Sequence, residues 1–198
     1  MKKIAITGNI ASGKSQVEKE LISLGYKVAD TDKINHEILE NDKITIQEIK
    51  NAFSDCDILD EQGKLSREKI GKIVFSDKEK KQILEGILHK KIYEKLEAFY
   101  EKNKDEKLVF ISIPLLFEAK QEDKFDKIVF ISANEELRLK RLIERNNYDI
   151  EYAKKRISAQ EKEQIKIEKS DFVIYNNSDL SNLKNQIEKV LHQLTLSC

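Results

Sequence analysis

The sequence predicts an α/β fold with a parallel sheet, and two observations carry that expectation. Short runs rich in Val, Ile and Phe recur along the chain, and stretches with helical period separate them. The runs are apolar almost throughout, as strands must be when helices cover both faces of a parallel sheet. Four are clear: 3–7 (KIAIT), 108–113 (LVFISI), 127–132 (KIVFIS) and 171–175 (DFVIY). A fifth, 26–29 (YKVA), is weaker. Val17, Leu21 and Leu24 recur at helical steps, as do Leu180, Leu183, Ile187 and Leu191, so each stretch reads as a helix with one apolar side.

The segment 33–106 breaks the alternation. It is rich in Lys and Glu and helical in pattern, with Ile83, Ile87, Leu88, Ile92 and Leu96 on one side of a long helix. It reads as a helical subdomain inserted between the second and third strands. The expected organisation is one domain over 1–198, with a core of 1–32, 107–135 and 168–198. The helical subdomain takes about 33–106 and a further helical segment about 136–167.

Composition narrows the function. Lys plus Arg and Asp plus Glu number 36 each, so no global field draws the chain to nucleic acid or membrane, and any phosphate binding must be local. The apolar run before Gly8 is too short for a signal peptide, and nothing approaches the roughly 18 apolar residues of a membrane span. Cys56 and Cys198 are too few and too scattered for a disulfide framework or a zinc site. The chain is expected to be cytoplasmic.

Residues 8–15 read G-N-I-A-S-G-K-S, a full match to G-x-x-x-x-G-K-[ST]. The match directly follows a strand and opens a helix near Lys14, the context that a phosphate-binding loop needs. Gly8 and Gly13 permit an unusual turn in which successive N–H groups form an anion nest, and the positive end of the helix strengthens it. Lys14 would reach the β- and γ-phosphates, and the Ser15 hydroxyl would ligate Mg²⁺. The expected ATP-binding segment is Gly8, Ala11, Ser12, Gly13, Lys14, Ser15 and Gln16.

Two further groups of residues suit phosphoryl transfer. Asp30 and Asp32 close the second strand, in YKVADTD, where residues two apart share a face and strand ends meet the ligand crevice. Asp32 is the candidate base for an attacking hydroxyl, and either aspartate could help hold magnesium. Asp30 suits the capping of the next helix equally well. Arg141 and Arg145 lie one helical turn apart, away from Leu139, Leu142 and Ile143, and Arg156 and Gln160 repeat the spacing in a second helix. Guanidinium forks fit phosphate oxygens and stack on adenine, so the segment reads either as a solvated charged face or as a mobile arginine lid. The loop upstream favours the lid.

Taken together, these residues resemble the dephospho-coenzyme A kinase family over nearly the whole chain. The similarity runs through TGNIASGKS, VADTD, GKLSREKIGKIVF at 63–75 and LEGILHKKI at 84–92. It continues through IPLLFE at 113–118, LKRLIERN at 139–146, KRISAQ at 155–160 and DFVIYNNS at 171–178. The resemblance implies transfer of the ATP γ-phosphoryl group to the ribose 3′-hydroxyl of dephospho-coenzyme A. It also implies a nucleotide-kinase architecture, with a five-stranded parallel core, a helical acceptor-binding domain and a lid. On that basis Asp32, Lys14 and Arg141 are catalytic, and Arg141, Arg145, Asn176 and Asn177 join the ATP site. Asp32, Arg67, His89, Pro114, Leu115, Leu116 and Glu118 shape the acceptor pocket. Asn9 and Ala11 stand where the family has glycines, Gln16 where it has Thr or Val, and Lys90 where it has proline.

Three other functions bear on the same residues. Another small-molecule kinase would share the whole phosphate site. A GTPase switch would use Asp60-Glu61-Gln62-Gly63 as D-x-x-G, yet Asn103-Lys104-Asp105 has the wrong spacing for guanine reading. A nucleic-acid ATPase would need a basic stripe, which the sequence lacks. No strand 108–113 aspartate supplies a second magnesium ligand, which leaves Asp32, Glu118 or water for that place. His36, His192 and both cysteines receive no catalytic role, and nothing requires a partner chain.

Overall fold

A computed structural model describes residues 1–196, so Cys198 lies outside the described residues. It contains five strands, β1 (Lys2–Gly8), β2 (Lys27–Asp30), β3 (Leu108–Ser112), β4 (Lys127–Ser132) and β5 (Phe172–Tyr175). They form one parallel sheet in the order β2-β3-β1-β4-β5. β1 is central, with Ile6 in register with Ser112 of β3 on one side and Gly8 with Ile131 of β4 on the other. All five residues of β3 are buried, which explains why these strands read as continuous apolar runs.

Alternation along the strands serves two faces. Ile4, Ile6, Phe110, Val129 and Ile131 pack with Val17 and Leu21 of α1 (Lys14–Ser23) and with Leu183, Ile187 and Leu191 of α9 (Leu180–Leu196). The residues between them, including Ala5, Val109, Ile111 and Phe130, are also buried, and Phe130 lies 6.4 Å from the Phe117 ring. The helical segment after β4 consists of α6 (Glu135–Asn146), α7 (Ile150–Ser158) and α8 (Glu163–Glu168). Leu142, Ala153 and Ile157 bury one another there, with Ile10 and Ala11 of the phosphate loop packed against them.

The chain divides into two compact units. One comprises Met1–Asp30 and the chain from Asn103, and the other is Thr31–Lys102. The second unit is helical: α2 (Thr31–Asn41), α3 (Lys43–Ala52), α4 (Arg67–Ser76) and the long α5 (Lys78–Lys102). Ile38, Ile49, Phe53, Ile58, Ile70 and Leu88 form its core, with Ile87 and Ile92 partly buried beside them. Ile83 differs from the expected apolar side, since it is 37% exposed.

The D-x-x-G match is a turn in this helical unit. The Asp60 carboxylate accepts from the N–H groups of Gln62 and Lys64 at 2.9 Å, and Gly63 takes a positive φ of 73°. The turn closes an antiparallel bridge between Leu59 and Leu65, so local geometry accounts for both defining residues of the match, Asp60 and Gly63.

Candidate active site

The phosphate loop joins the carboxyl end of the central strand to the first turn of α1, so its backbone lies at the positive end of that helix. Its two glycines serve different needs. Gly13 has φ 94°, and a Cβ there would fall 2.1 Å from Asn176 Nδ2. At Gly8 the need is space, because a Cβ would meet the Ile131 carbonyl oxygen and Ser12 Oγ at 2.6 Å. Ala11 is left-handed too, at φ 60°, a conformation that costs a non-glycine residue roughly 1 kcal/mol.

Side chains distant in sequence hold this loop. Asn176 Nδ2 donates to the Ser12 carbonyl at 2.8 Å, and Arg141 Nη1 donates to the same oxygen at 3.3 Å. Arg141 Nη2 also donates to the Asn176 carbonyl at 3.0 Å. In a trans peptide the next N–H points opposite the carbonyl, so the Gly13 N–H is directed away from these two side chains. Gln160 Oε1 accepts from Ile10 N–H at 2.8 Å. Both ends of the Asn9 amide are engaged: Nδ2 donates to Glu163 at 3.2 Å, and Oδ1 accepts from Lys166 Nζ at 2.8 Å. Within the loop, Ser12 Oγ is buried and without a hydrogen-bond partner.

Lys14 sits in a closed triangle of polar groups. Its Nζ donates to Glu18 Oε1 at 2.9 Å and to Ser112 Oγ, and the Ser112 hydroxyl donates to the same Glu18 oxygen at 2.5 Å. Glu18 is 2% exposed and Ser112 fully buried. An open cleft beside the loop is lined by Gly13, Gln16, Arg141, Asn176, Leu180 and Leu183.

The expected site residues divide by location. Gly8, Ala11, Ser12, Gly13, Lys14, Ser15, Gln16, Arg141 and Asn176 converge at the loop. Arg145 does not join them: it is exposed and donates to the side chain of its neighbour Asn146 at 2.9 Å. Its spacing from Arg141 is helical as expected, but the side chain sits in the last turn, beyond the loop carbonyls that Arg141 reaches. Asn177 Oδ1 accepts from Asn134 N–H at 2.7 Å, which ties the segment after β5 to the start of α6. Gln160 lies past the end of α7, so it does not continue a helical stripe from Arg156.

Of the residues expected at the acceptor, Pro114 follows β3, and its carbonyl accepts from the Thr7 hydroxyl at 3.4 Å. Leu115 is 52% exposed, whereas Leu116 is completely buried and belongs to the core. Glu118 Oε1 accepts from Lys166 Nζ at 2.6 Å. Asp32 lies in the first turn of α2, since β2 ends at Asp30, so strand alternation does not relate the two aspartates. In the helical unit, Arg67 Nη1 is 2.8 Å from His36 Nδ1, and His36 Nε2 is 3.1 Å from Glu40. A guanidinium only donates, so Nδ1 accepts and Nε2 carries the hydrogen toward Glu40. His89 is exposed on α5.

Sequence reasoning missed Glu18, Ser112, Arg138, Glu163 and Lys166. Arg138 is 5% exposed, with Nη2 3.8 Å from Glu163 and its Nε and Nη1 buried without partners. Only Glu18 left a local trace, the i,i+4 relation to Lys14.

Residues 2–182 match the sequence model of the dephospho-CoA kinase family. A dephospho-CoA kinase of Fusobacterium nucleatum subsp. nucleatum is 40% identical over 186 residues, covering 94% of this chain and 95% of that protein. That of Listeria monocytogenes serotype 4b is 40% identical over 190 residues, covering 94% of each. Among solved structures, the dephospho-CoA kinase of Campylobacter jejuni superposes with a TM-score of 0.72 at 34% identity, covering 98% of both chains. A Thermus thermophilus crystal structure superposes at 0.86 with 33% identity, covering 98% of this chain and 97% of the other. The shikimate kinase of Acinetobacter baumannii, at 0.53 and 16% identity over 100% of this chain and 94% of the other, shares the fold. A phosphate loop at the end of the central strand, clamped by Arg141 and Asn176 in a chain matched nearly end to end, leads to one assignment: the chain belongs to the dephospho-CoA kinase family.

Proposed function

We propose that the chain transfers the γ-phosphoryl group of ATP to the ribose 3′-hydroxyl of dephospho-coenzyme A, giving coenzyme A and ADP, the last step of coenzyme A synthesis. The observation that carries this reading is the Lys14-centred phosphate loop in a chain that its dephospho-CoA kinase relatives match over 94% of its length. Phosphoryl transfer asks little covalent chemistry of the protein, so the residues act by positioning and by charge.

The loop N–H groups and Lys14 receive the β- and γ-phosphates. Arg141 stands at the loop to meet charge on the transferring group, and Asn176, Asn177 and Gln16 border the nucleotide. Asp32 takes the proton of the attacking 3′-hydroxyl. Arg67, His89, Pro114, Leu115 and Glu118 shape the acceptor side, residues 136–167 form the lid, and the cytoplasm is the site of the reaction. For magnesium the chain offers a hard oxygen, the exposed Ser15 hydroxyl next to Lys14, and no group of three or more His, Cys, Asp or Glu is arranged to hold a metal among the described residues. That donor set fits an ion that arrives with ATP and keeps phosphate oxygens and waters in its shell. Bound there, it would offset charge on the β- and γ-phosphates.

The test is an ADP-release assay with Mg-ATP and dephospho-coenzyme A, AMP, adenosine or shikimate, with products identified by mass. A gain of one phosphate on dephospho-coenzyme A alone is expected, and turnover of another acceptor would replace the substrate. Lys14→Ala and Asp32→Asn are each expected to lower kcat at least about a hundredfold. A fully active Asp32→Asn enzyme would remove the base assignment.

A further inference from the structure

We propose that Glu18 and Ser112 are positioning residues that hold the Lys14 ammonium in the orientation from which it meets the phosphates. The inference rests on the reading of Lys14 as the phosphate lysine. An ammonium has three N–H donors. Here one is directed to Glu18 Oε1 at 2.9 Å and a second to Ser112 Oγ, so two fixed acceptors leave the third donor for a ligand. The Ser112 hydroxyl donates to the same carboxylate oxygen at 2.5 Å and closes the triangle. The three groups come from two elements joined by the core: Lys14 and Glu18 from α1, and Ser112 from the carboxyl end of β3.

The placement of Glu18 is costly without such a role. It is 2% exposed on a helix whose neighbouring Val17 and Leu21 pack into the apolar core. A buried ion pair commonly stabilises less than well-packed apolar side chains of similar volume, so stability alone gives little reason for a carboxylate here. A lysine otherwise samples many rotamers, and tethering its ammonium removes that freedom before the ligand arrives. The tether also resists release, because a swing of Lys14 out of the triangle would withdraw the ammonium from a buried carboxylate.

Glu18→Gln keeps the shape and removes the charge. It is expected to raise KM for ATP and lower kcat, each about tenfold, and to weaken ADP binding by calorimetry without acceptor. The deciding measurement repeats Glu18→Gln in a Lys14→Ala background. An effect exerted through the lysine should vanish there, with kcat/KM for ATP and ADP affinity within about twofold of Lys14→Ala alone. Losses that multiply in the double variant, or a Glu18→Gln enzyme with normal constants, would overturn the proposal. Should Glu18→Gln unfold at the assay temperature, Ser112→Ala decides by the same cycle, with a threefold or larger loss expected only when Lys14 is present. A fully active Lys14→Ala enzyme would instead sink the underlying phosphate-site reading, which separates the two failures.

Discussion

In the unit built on the sheet, charge is carried inward. Lys166 has a side chain only 2% exposed and bonds both Glu118 and Asn9, and Glu18 lies buried against Lys14. The helical unit carries its charge on the surface, as in the Lys72–Glu68 pair, where the side chains are 74% and 77% exposed. Its core cluster is apolar, from Ile38 and Phe53 to Leu88, and the polar groups buried in the unit, Thr45 and Asn35 Oδ1, are uncharged. The contrast follows from what each unit must hold. A loop of backbone dipoles needs polar groups at fixed angles, and only partners protected from water keep those angles. A helical cluster needs apolar area and polar solvation outside, and surface pairs add little to it.

The largest effect should come from breaking the inward network. Glu118→Ala leaves the buried Lys166 ammonium with Asn9 alone, and is expected to lower stability by about 2 kcal/mol, the scale of one hydrogen bond to a charged group, since the carboxylate itself is 29% exposed. A loss under about 1 kcal/mol in urea unfolding would mean that the buried charges contribute no more than surface ones, and the contrast would fail.

A smaller effect is expected at Asp42, the N-cap of α3. Its carboxylate accepts from Thr45 N–H at 3.0 Å and lies 3.3 Å from Lys91, and the Thr45 backbone bond above all holds its pKa below the usual carboxylate value. Asp42→Ala should cost about 1 kcal/mol. Because the folded-state pKa is depressed, the contribution is fully present above the unfolded pKa and is lost as pH falls through the folded one. The difference between wild type and variant should therefore hold steady near neutral pH and shrink below about pH 4. A difference that stayed constant down to pH 2 would point to helix propensity instead of the cap.

Lys72→Ala sharpens the comparison at its weak end. The exposed Lys72–Glu68 pair should leave the melting temperature unchanged within error. A clear drop would show that the outer charges of the helical unit matter to its stability.

The phosphate loop was legible because its residues are contiguous and bounded by a strand and a helix. The five strands were legible because burial on both faces leaves a continuous apolar run, as in Leu108–Ser112. The supports of the loop were not legible. Asn9 meets Lys166 across 157 positions and Ser112 meets Glu18 across 94, and only the packing of helices on the sheet brings such residues together. Glu163 and Lys166 sit in a stretch where charges alternate in sequence, so a buried lysine looks like any solvated one. Arg141 and Arg145 show the limit of helical spacing: it puts both on one side of α6, but not which of them reaches the loop.

The strand order also sets a timetable. Lys2 pairs with Leu108 and Ile4 with Lys127, so both neighbours of the central strand are more than a hundred residues downstream. Thr31–Lys102, by contrast, is a compact unit built from one continuous stretch of chain. Nonlocal parallel pairing must meet the entropy of closing a long loop before it is rewarded, whereas local helical contacts form early. On a ribosome the helical unit can therefore take shape while β1 still waits for its partners. The phosphate loop, encoded within the first fifteen residues, is among the last parts of the molecule to acquire its shape.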